Sequence, residues 1–222
     1  MTTATTPGLS RPAPRAALPG VVTAGPADTD ALSHLIADAF VGLPPSRWLI
    51  TDPAARRAIF PAYFRIYVEH ALATGIVHTT PDRTAAALWL PTGTGLPSPP
   101  PGYEQRLAAV TGPWHDRFAT FDATLERHHP AGTAHHHLAM LAVAPGHQGH
   151  GTGSMLLRAH HATLDDVAIP AFLEAATVRT RRLYQQHGYT LRPDAPIRLP
   201  DGGPLLWPMW RQPRHPRSPA LP

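Results

Sequence analysis

Between Gln148 and Ser154 the chain reads Gln-Gly-His-Gly-Thr-Gly-Ser, and these residue types at this spacing suit one task. Glycines at 149, 151 and 153 let successive backbone N–H groups turn into a single concavity with no Cβ in the way. The apolar spacing that follows, through Leu156 and Leu157, begins a helix, whose N-terminus carries partial positive charge. The chemistry this offers is the holding of a phosphate. The run lacks the Lys-Ser/Thr ending of a nucleoside triphosphate loop. It also lacks the G-x-G-x-x-G spacing of a dinucleotide fold, and no acidic residue ends a second strand about twenty residues on. What remains is a phosphate-bearing ligand at a helix N-terminus, with no metal required. A second group is the run His135-His136-His137, a metal tract by composition alone. On a strand, alternate residues face opposite sides, and no cysteine or carboxylate completes a ligand set. His128-His129 and His160-His161 read as surface residues.

The elements that would position these groups follow from periodicity. His135–Val143 reads as the central strand running into the glycine turn, and 151–167 as the helix after it. Ala171–Ala175 (AFLEA) is a second buried strand, Thr180–His187 a short helix closed by Gly188, and Tyr189–Leu191 a returning strand. Upstream, Val21–Thr23 is a short strand, and Asp28 or Thr29 caps a helix with Leu32, Leu35, Ile36 and Phe40 on one face. Gly42 and Pro44-Pro45 end that helix, and a loop with Arg47 and Trp48 follows. Asp52-Pro53 starts a second helix to about Leu72, which Pro61 bends or interrupts. Ile76–Thr80 and Ala85–Leu90 form a hairpin. The Pro/Gly segment 91–102 is either a lid or binding element or disordered. Helices follow at Tyr103–Val110 and Trp114–His128, and a turn at Pro200–Gly203 leads to a last strand over Pro204–Trp210. The class is α/β (α+β): a sheet of six or seven strands with helices on both faces.

A chain of 222 residues with 43% apolar content supports one core. Residues 1–19 and 212–222 read as disordered proline-rich tails flanking a domain over 20–211. There is no cysteine, which removes disulfides, thiolate zinc sites and a cysteine nucleophile. All 19 basic residues are arginine, so there is no catalytic lysine. The high isoelectric point belongs to the ends. Residues 1–20 and 211–222 hold five arginines and no acid, whereas 21–210 holds 14 arginines against 15 carboxylates. The folded part is close to neutral, which argues against a nucleic-acid face. No apolar run spans a bilayer and no secretory signal opens the chain, so the expectation is a cytoplasmic protein without a membrane partner.

The pattern Val143-x-Pro145-x-x-Gln148-x-x-Gly151-x-Gly153 resembles the acyl-CoA motif of the GCN5-related N-acetyltransferase (GNAT) superfamily. Phe172-Leu173-Glu174-Ala175 followed by Arg182-Leu183-Tyr184-Gln185-Gln186-His187-Gly188-Tyr189 is similar to the superfamily's later strand and its L-Y-x-x-x-G-F helix. The segments at 38–40, 87–91, 199–203 and 206–210 resemble the puromycin N-acetyltransferase-like branch of actinobacteria. The resemblance implies a GNAT fold, a mixed and mostly antiparallel sheet splayed at an acyl-CoA site. It implies acetyl-CoA as co-substrate, no metal, and transfer of an acetyl group to a small-molecule amine by direct attack in a ternary complex, in antibiotic self-resistance or natural-product tailoring. A homodimer is an open assembly.

By the same resemblance, backbone groups of Leu141, Ala142 and Val143 pair with the pantetheine amides. Amides of Gln148, Gly149, His150, Gly151, Thr152, Gly153 and Ser154 hold the pyrophosphate. Tyr184 sits near the cofactor sulfur and protonates it on leaving. The amine must be neutral to attack, which calls for a base or a water relay, and the candidates for the base are Glu174, His136 and His137. Thr180 stands where the superfamily often has an asparagine that helps anchor the cofactor. Arg179, Arg181 and Arg182 either compensate by meeting phosphates or form a solvated helix face. The departure at Thr180 leaves a second expectation, an acyl-CoA binder without turnover. Substrate contacts are expected from Arg47-Trp48, the 91–102 segment and the hairpin at 200–204.

Overall fold

The computed structural model describes residues 20–214. The tails expected at 1–19 and 215–222 lie outside the described residues. Just past the boundary expected at 211, the backbone N–H of Arg214 donates to Asp165 at 2.8 Å.

Eight strands form the sheet: β1 (Val22–Thr23), β2 (Ile76–Thr79), β3 (Ala85–Thr92), β4 (His135–Val143), β5 (Ala171–Ala175), β6 (Thr190–Leu191), β7 (Ile197–Arg198) and β8 (Leu205–Arg211). Their order is β1-β2-β3-β4-β5-β8-β6, with β7 paired to β8. Every pairing is antiparallel except β4 with β5. The count exceeds the expected six or seven because β7 is only two residues long, too short to show alternation.

One face of the sheet carries α1 (Thr29–Phe40), α2 (Pro44–Leu49), α3 (Pro53–Thr74), α4 (Tyr103–Thr111) and α5 (His115–His128). The other carries α6 (Thr152–Asp166) and α7 (Val178–Gln186). The stripe predicted for α1 is the buried one, with Leu32, Leu35 and Ile36 against α3 and the sheet. Each such fully buried aliphatic side chain stabilises the fold by about 1.5–3 kcal/mol.

Two expectations on this face are corrected. The Arg47-Trp48 loop is a helix, because Pro44 and Pro45 occupy its first turn, where a missing N–H costs nothing. Pro61 does not interrupt α3, which runs unbroken with Phe60, Tyr63 and Phe64 buried on either side of it. Asp52 caps α3 by accepting from the amides of Ala54 and Ala55, both at 3.1 Å. Arg56 is buried where it satisfies the carbonyls of Val41 (2.8 Å) and Ile50 (2.5 Å), which fixes both ends of the α2 segment.

Where β3 meets β4, Leu88 pairs with Met140 and Trp89 with Leu138, so Ala139 is an extra residue on β4. This bulge switches the alternation. Leu138 and Leu141 share the α6 face, whereas Met140 and Ala142 share the α1–α3 face. Strand β4 then meets β5 at only two positions, His136 with Ala171 and His137 with Phe172. Beyond His137 the two strands diverge.

His160 and His161 are not surface residues; they are 1% and 5% exposed. They lie in the stripe Leu156, Leu157, His160, His161, Leu164 that α6 buries. His160 bridges His78 on β2 (3.1 Å) and His136 on β4 (3.0 Å), and its ring stacks on Trp89 at 4.1 Å. His161 meets the Tyr189 hydroxyl at 3.0 Å. Burial lowers the pKa of His78 and His136 to about 4, that of His161 to about 3, and that of His160 well below the usual imidazole value. The unfolded chain therefore takes up protons from about pH 6.5 downward, while these folded imidazoles do not. Stability is full above that pH and falls toward pH 4, with up to about 1.4 kcal/mol lost per imidazole and pH unit. We expect the urea midpoint to fall steeply between pH 7 and 5; a midpoint constant over that range would contradict the neutral histidine core.

Candidate active site

The parting of β4 from β5 leaves a β4 edge, Leu138 to Val143, with no strand beside it on that side among the described residues. At its end the glycine turn brings the chain around to α6. Gly149 and Gly151 lie at φ +87° and +83°, a left-handed backbone that other residues adopt at a cost. Gly151 is the residue before α6 and accepts from the Met155 amide at 2.9 Å. The first-turn amides of α6, from Thr152 onward, have no carbonyl one turn back to bond. The Gln148 side chain donates to the Val143 carbonyl at 3.1 Å and so ties the turn to the strand. Ser154 meets His187, at the end of α7, at 2.9 Å.

A cleft of about 550 Å³ opens here. Of the residues singled out in the sequence, Leu141, Val143, Gln148, Gly149, Gly151, Thr152, Gly153, Ser154, Thr180 and Tyr184 line it. Three do not. Ala142 points to the α1–α3 side because of alternation, so only its backbone is available at the β4 edge. The His150 side chain is exposed, outside the lining. Glu174 lies on the β5 side chain row of Phe172 and pairs with His137, Oε2 to Nε2 at 2.9 Å. The lining also includes residues to which the sequence gives no cleft role: Ala39, Phe40 and Leu43 from the end of α1 and its turn, and His147, Thr177 and Leu183. Proximity across more than a hundred residues brings the α1 group in. Ala39 and Phe40 belong to a segment read only for its family likeness, and His147 and Leu183 stand at unassigned positions within or beside the recognised motifs.

Tyr184 is 7% exposed and packs edge-on against Tyr189 at 5.8 Å. Burial pushes its phenol pKa upward, so it keeps its proton. Thr180 lines the cleft, but its hydroxyl is engaged elsewhere. It accepts from the Thr177 amide at 3.1 Å and donates to the Thr177 carbonyl at 3.0 Å, while Thr177 Oγ1 accepts from the Thr180 amide. This reciprocal cap starts α7 two residues before the expected Thr180. Of the three neighbouring arginines, Arg179 reaches the cleft, Arg181 lies over the Trp207 ring at 5.4 Å, and Arg182 is exposed.

The histidine run divides by face, as alternation requires. His136 enters the α6 chain, where it is 2% exposed, its Nδ1 is engaged with His160 at 3.0 Å, and it lies outside the cleft lining, which removes it as a base candidate. His135 and His137 lie on the Phe172 side. Glu174 does supply a carboxylate to this run, contrary to expectation. Even so, no group of three or more His, Asp or Glu among the described residues has the geometry of a metal site. Trp48 joins α2 to the hairpin at 199–204, its indole N–H donating to the Pro200 carbonyl at 3.2 Å. No helix among the described residues is long and apolar enough to cross a membrane.

The parted strands, the glycine turn and the helix after it define the GNAT fold, and the protein is an acyltransferase enzyme. Residues 117–191 match the acetyltransferase (GNAT) domain family model. A solved structure from Corynebacterium glutamicum ATCC 13032, described as histone acetyltransferase HPA2 and related acetyltransferase, is 25% identical with a TM-score of 0.66. The match covers 89% of this chain and 98% of that one. Arylalkylamine N-acetyltransferase 2 from Aedes aegypti is 12% identical with a TM-score of 0.58, covering 87% and 98%. The polyamine N-acetyltransferase of Drosophila melanogaster, which forms N-acetylagmatine, is 16% identical with a TM-score of 0.50, covering 86% and 99%.

Proposed function

We propose that this protein transfers an acetyl group from acetyl-CoA to the amine of a small molecule, by direct attack with both substrates bound. The observation that carries this reading is the continuity of three features in one cleft: the unpaired β4 edge, the glycine turn with the α6 N-terminus at one end, and Tyr184 in the wall. The α6 amides and the backbone of Gly149–Ser154 hold the pyrophosphate, with Arg179 adding charge. The edge at Leu141–Val143 pairs with the pantetheine amides as a strand would. Tyr184, kept protonated by burial, gives its proton to the leaving sulfur. Thr180 contributes its methyl group and the cap of α7, so the asparagine's anchoring role passes to backbone amides.

Direct transfer is favoured because the chain has no cysteine to carry the acetyl group. A small amine as acceptor has support in the arylalkylamine and polyamine enzymes that share the fold. The setting we infer is a cytoplasmic one, antibiotic self-resistance or natural-product tailoring in an actinobacterium. It rests on the puromycin-branch segments at 38–40, 87–91, 199–203 and 206–210. The test is release of free thiol from acetyl-CoA across a panel of aminonucleosides, arylalkylamines and polyamines. At least one amine should raise the rate well above the background hydrolysis. Tight acetyl-CoA binding with no amine-dependent thiol would instead leave a binder without turnover.

A further inference from the structure

Resting on that reading of the cleft, we propose that His137 takes the proton from the acceptor amine and that Glu174 acts behind it as a positioning residue. The pair lies at the last rung before β4 and β5 part, since His137 is matched with Phe172 and no pairing follows. The glycine turn begins at the other end of the same edge, six residues and about 20 Å along the strand. A ligand held by its phosphates at that turn and extended along β4 directs its far end to this rung. The face is the one carrying α1–α5, opposite Tyr184 and α7. Base and acid would thus approach the reacting carbon from opposite sides of the sheet, through the gap between the strands.

A carboxylate only accepts, so in the neutral imidazole the 2.9 Å contact calls for the hydrogen on Nε2, which leaves Nδ1 with a lone pair. Among the described residues nothing bonds Nδ1, and the His137 side chain is 15% exposed against 10% for Glu174. The charged and titratable groups around it are Glu174 from β5, His129 after α5 and His135 on its own strand, with Arg192 acting on the latter two. His129 and His135 occupy each other, Nε2 to Nε2 at 3.2 Å, and His135 Nδ1 donates to the Thr133 carbonyl at 2.8 Å. Burial, reinforced by the neighbouring imidazoles, holds the His129 pKa to about 3. Burial likewise lowers that of His135. Of the imidazoles at this rung, His137 alone has a carboxylate behind it and a nitrogen to spare.

The proton balance closes without another reactant. The amine arrives as an ammonium ion and passes one proton to Nδ1. The freed nitrogen pair forms the C–N bond, and the C–S bond breaks. Tyr184 protonates the sulfur and recovers a proton from the nitrogen as the amide forms. His137 then releases its proton to solvent, one per turnover.

The test uses the full chain, acetyl-CoA, and an amine found active in the thiol-release panel. His137→Gln keeps a donor for Glu174 but has no basic nitrogen. It should lower kcat/KM by about 10²-fold, leave acetyl-CoA affinity within about twofold, and remove the acid limb of the kcat/KM–pH profile. Glu174→Gln should lower kcat/KM by about tenfold and move that limb to lower pH, because the imidazolium loses its counter-charge. Free imidazole should restore part of the rate of His137→Ala. A folded His137→Gln with the wild-type rate and an unchanged acid limb would overturn this assignment and leave the proposed function standing. Should His137→Gln fail to fold, an unmoved limb in Glu174→Gln would overturn it. A wild-type protein that releases no thiol with any amine would overturn both.

Discussion

Tyr184→Phe should lower kcat by about 10²–10³-fold, while acetyl-CoA binds with nearly unchanged affinity. The hydroxyl is the only group removed. The ring keeps its edge contact with Tyr189 at 5.8 Å and its place in the core of the α6 side, so packing is conserved. Because burial raises the phenol pKa, the wild-type side chain carries its proton throughout the working range. It can donate as negative charge builds on the sulfur, an interaction that exists only as the C–S bond breaks. Loss of such an interaction lowers kcat and kcat/KM together. Single-turnover rates and a calorimetric titration with acetyl-CoA separate the two quantities. An unchanged single-turnover rate would remove Tyr184 from the chemistry.

Gly151→Val should weaken acetyl-CoA binding by about one to two orders of magnitude, with only modest loss of stability. A Cβ at position 151 meets nothing within 4 Å, so the substitution causes no clash. The cost is backbone strain: at φ +83° a β-branched residue is an outlier, and such strain is worth about 1–3 kcal/mol. The exposed turn yields before the buried helix does, since Leu156, Leu157 and Leu164 hold α6 in the core. The turn amides then leave the concavity, and binding weakens by about tenfold for each 1.4 kcal/mol. Gly151→Asn is the informative control, because asparagine tolerates this backbone region and should retain most of the affinity. Equal affinities for valine and wild type would mean that the turn does not hold the phosphates.

What the sequence disclosed about this site depended on locality. Gln148–Gly153 and Tyr184 were readable because turn glycines and a helical tyrosine sit in short motifs with fixed spacing. The strands β3, β4 and β5 were readable because their apolar runs are continuous. The Ala139 bulge was not, since register depends on the partner strand, yet it puts Leu141 and Val143 on the cleft side. Nor was the His137–Glu174 contact, which joins two strands 37 residues apart. Residue type alone points His160 and His161 to the surface, although their spacing from Leu156, Leu157 and Leu164 puts them on the buried stripe. Thr180 was read by its position in a motif, whereas its hydroxyl answers a nearer demand, the open amides at the start of α7.

The central claim is that the cleft between β4 and β5 passes an acetyl group from acetyl-CoA directly to an amine. Its most direct test is to incubate the protein with acetyl-labelled acetyl-CoA, with and without the most active amine, and to quantify free thiol, N-acetylated amine and the intact protein's mass together. The account predicts thiol and N-acetyl product in equal amounts, only when the amine is present, with no acetyl group on the protein. Thiol released without N-acetylated product, or an acetylated protein formed before the amine is added, would contradict it.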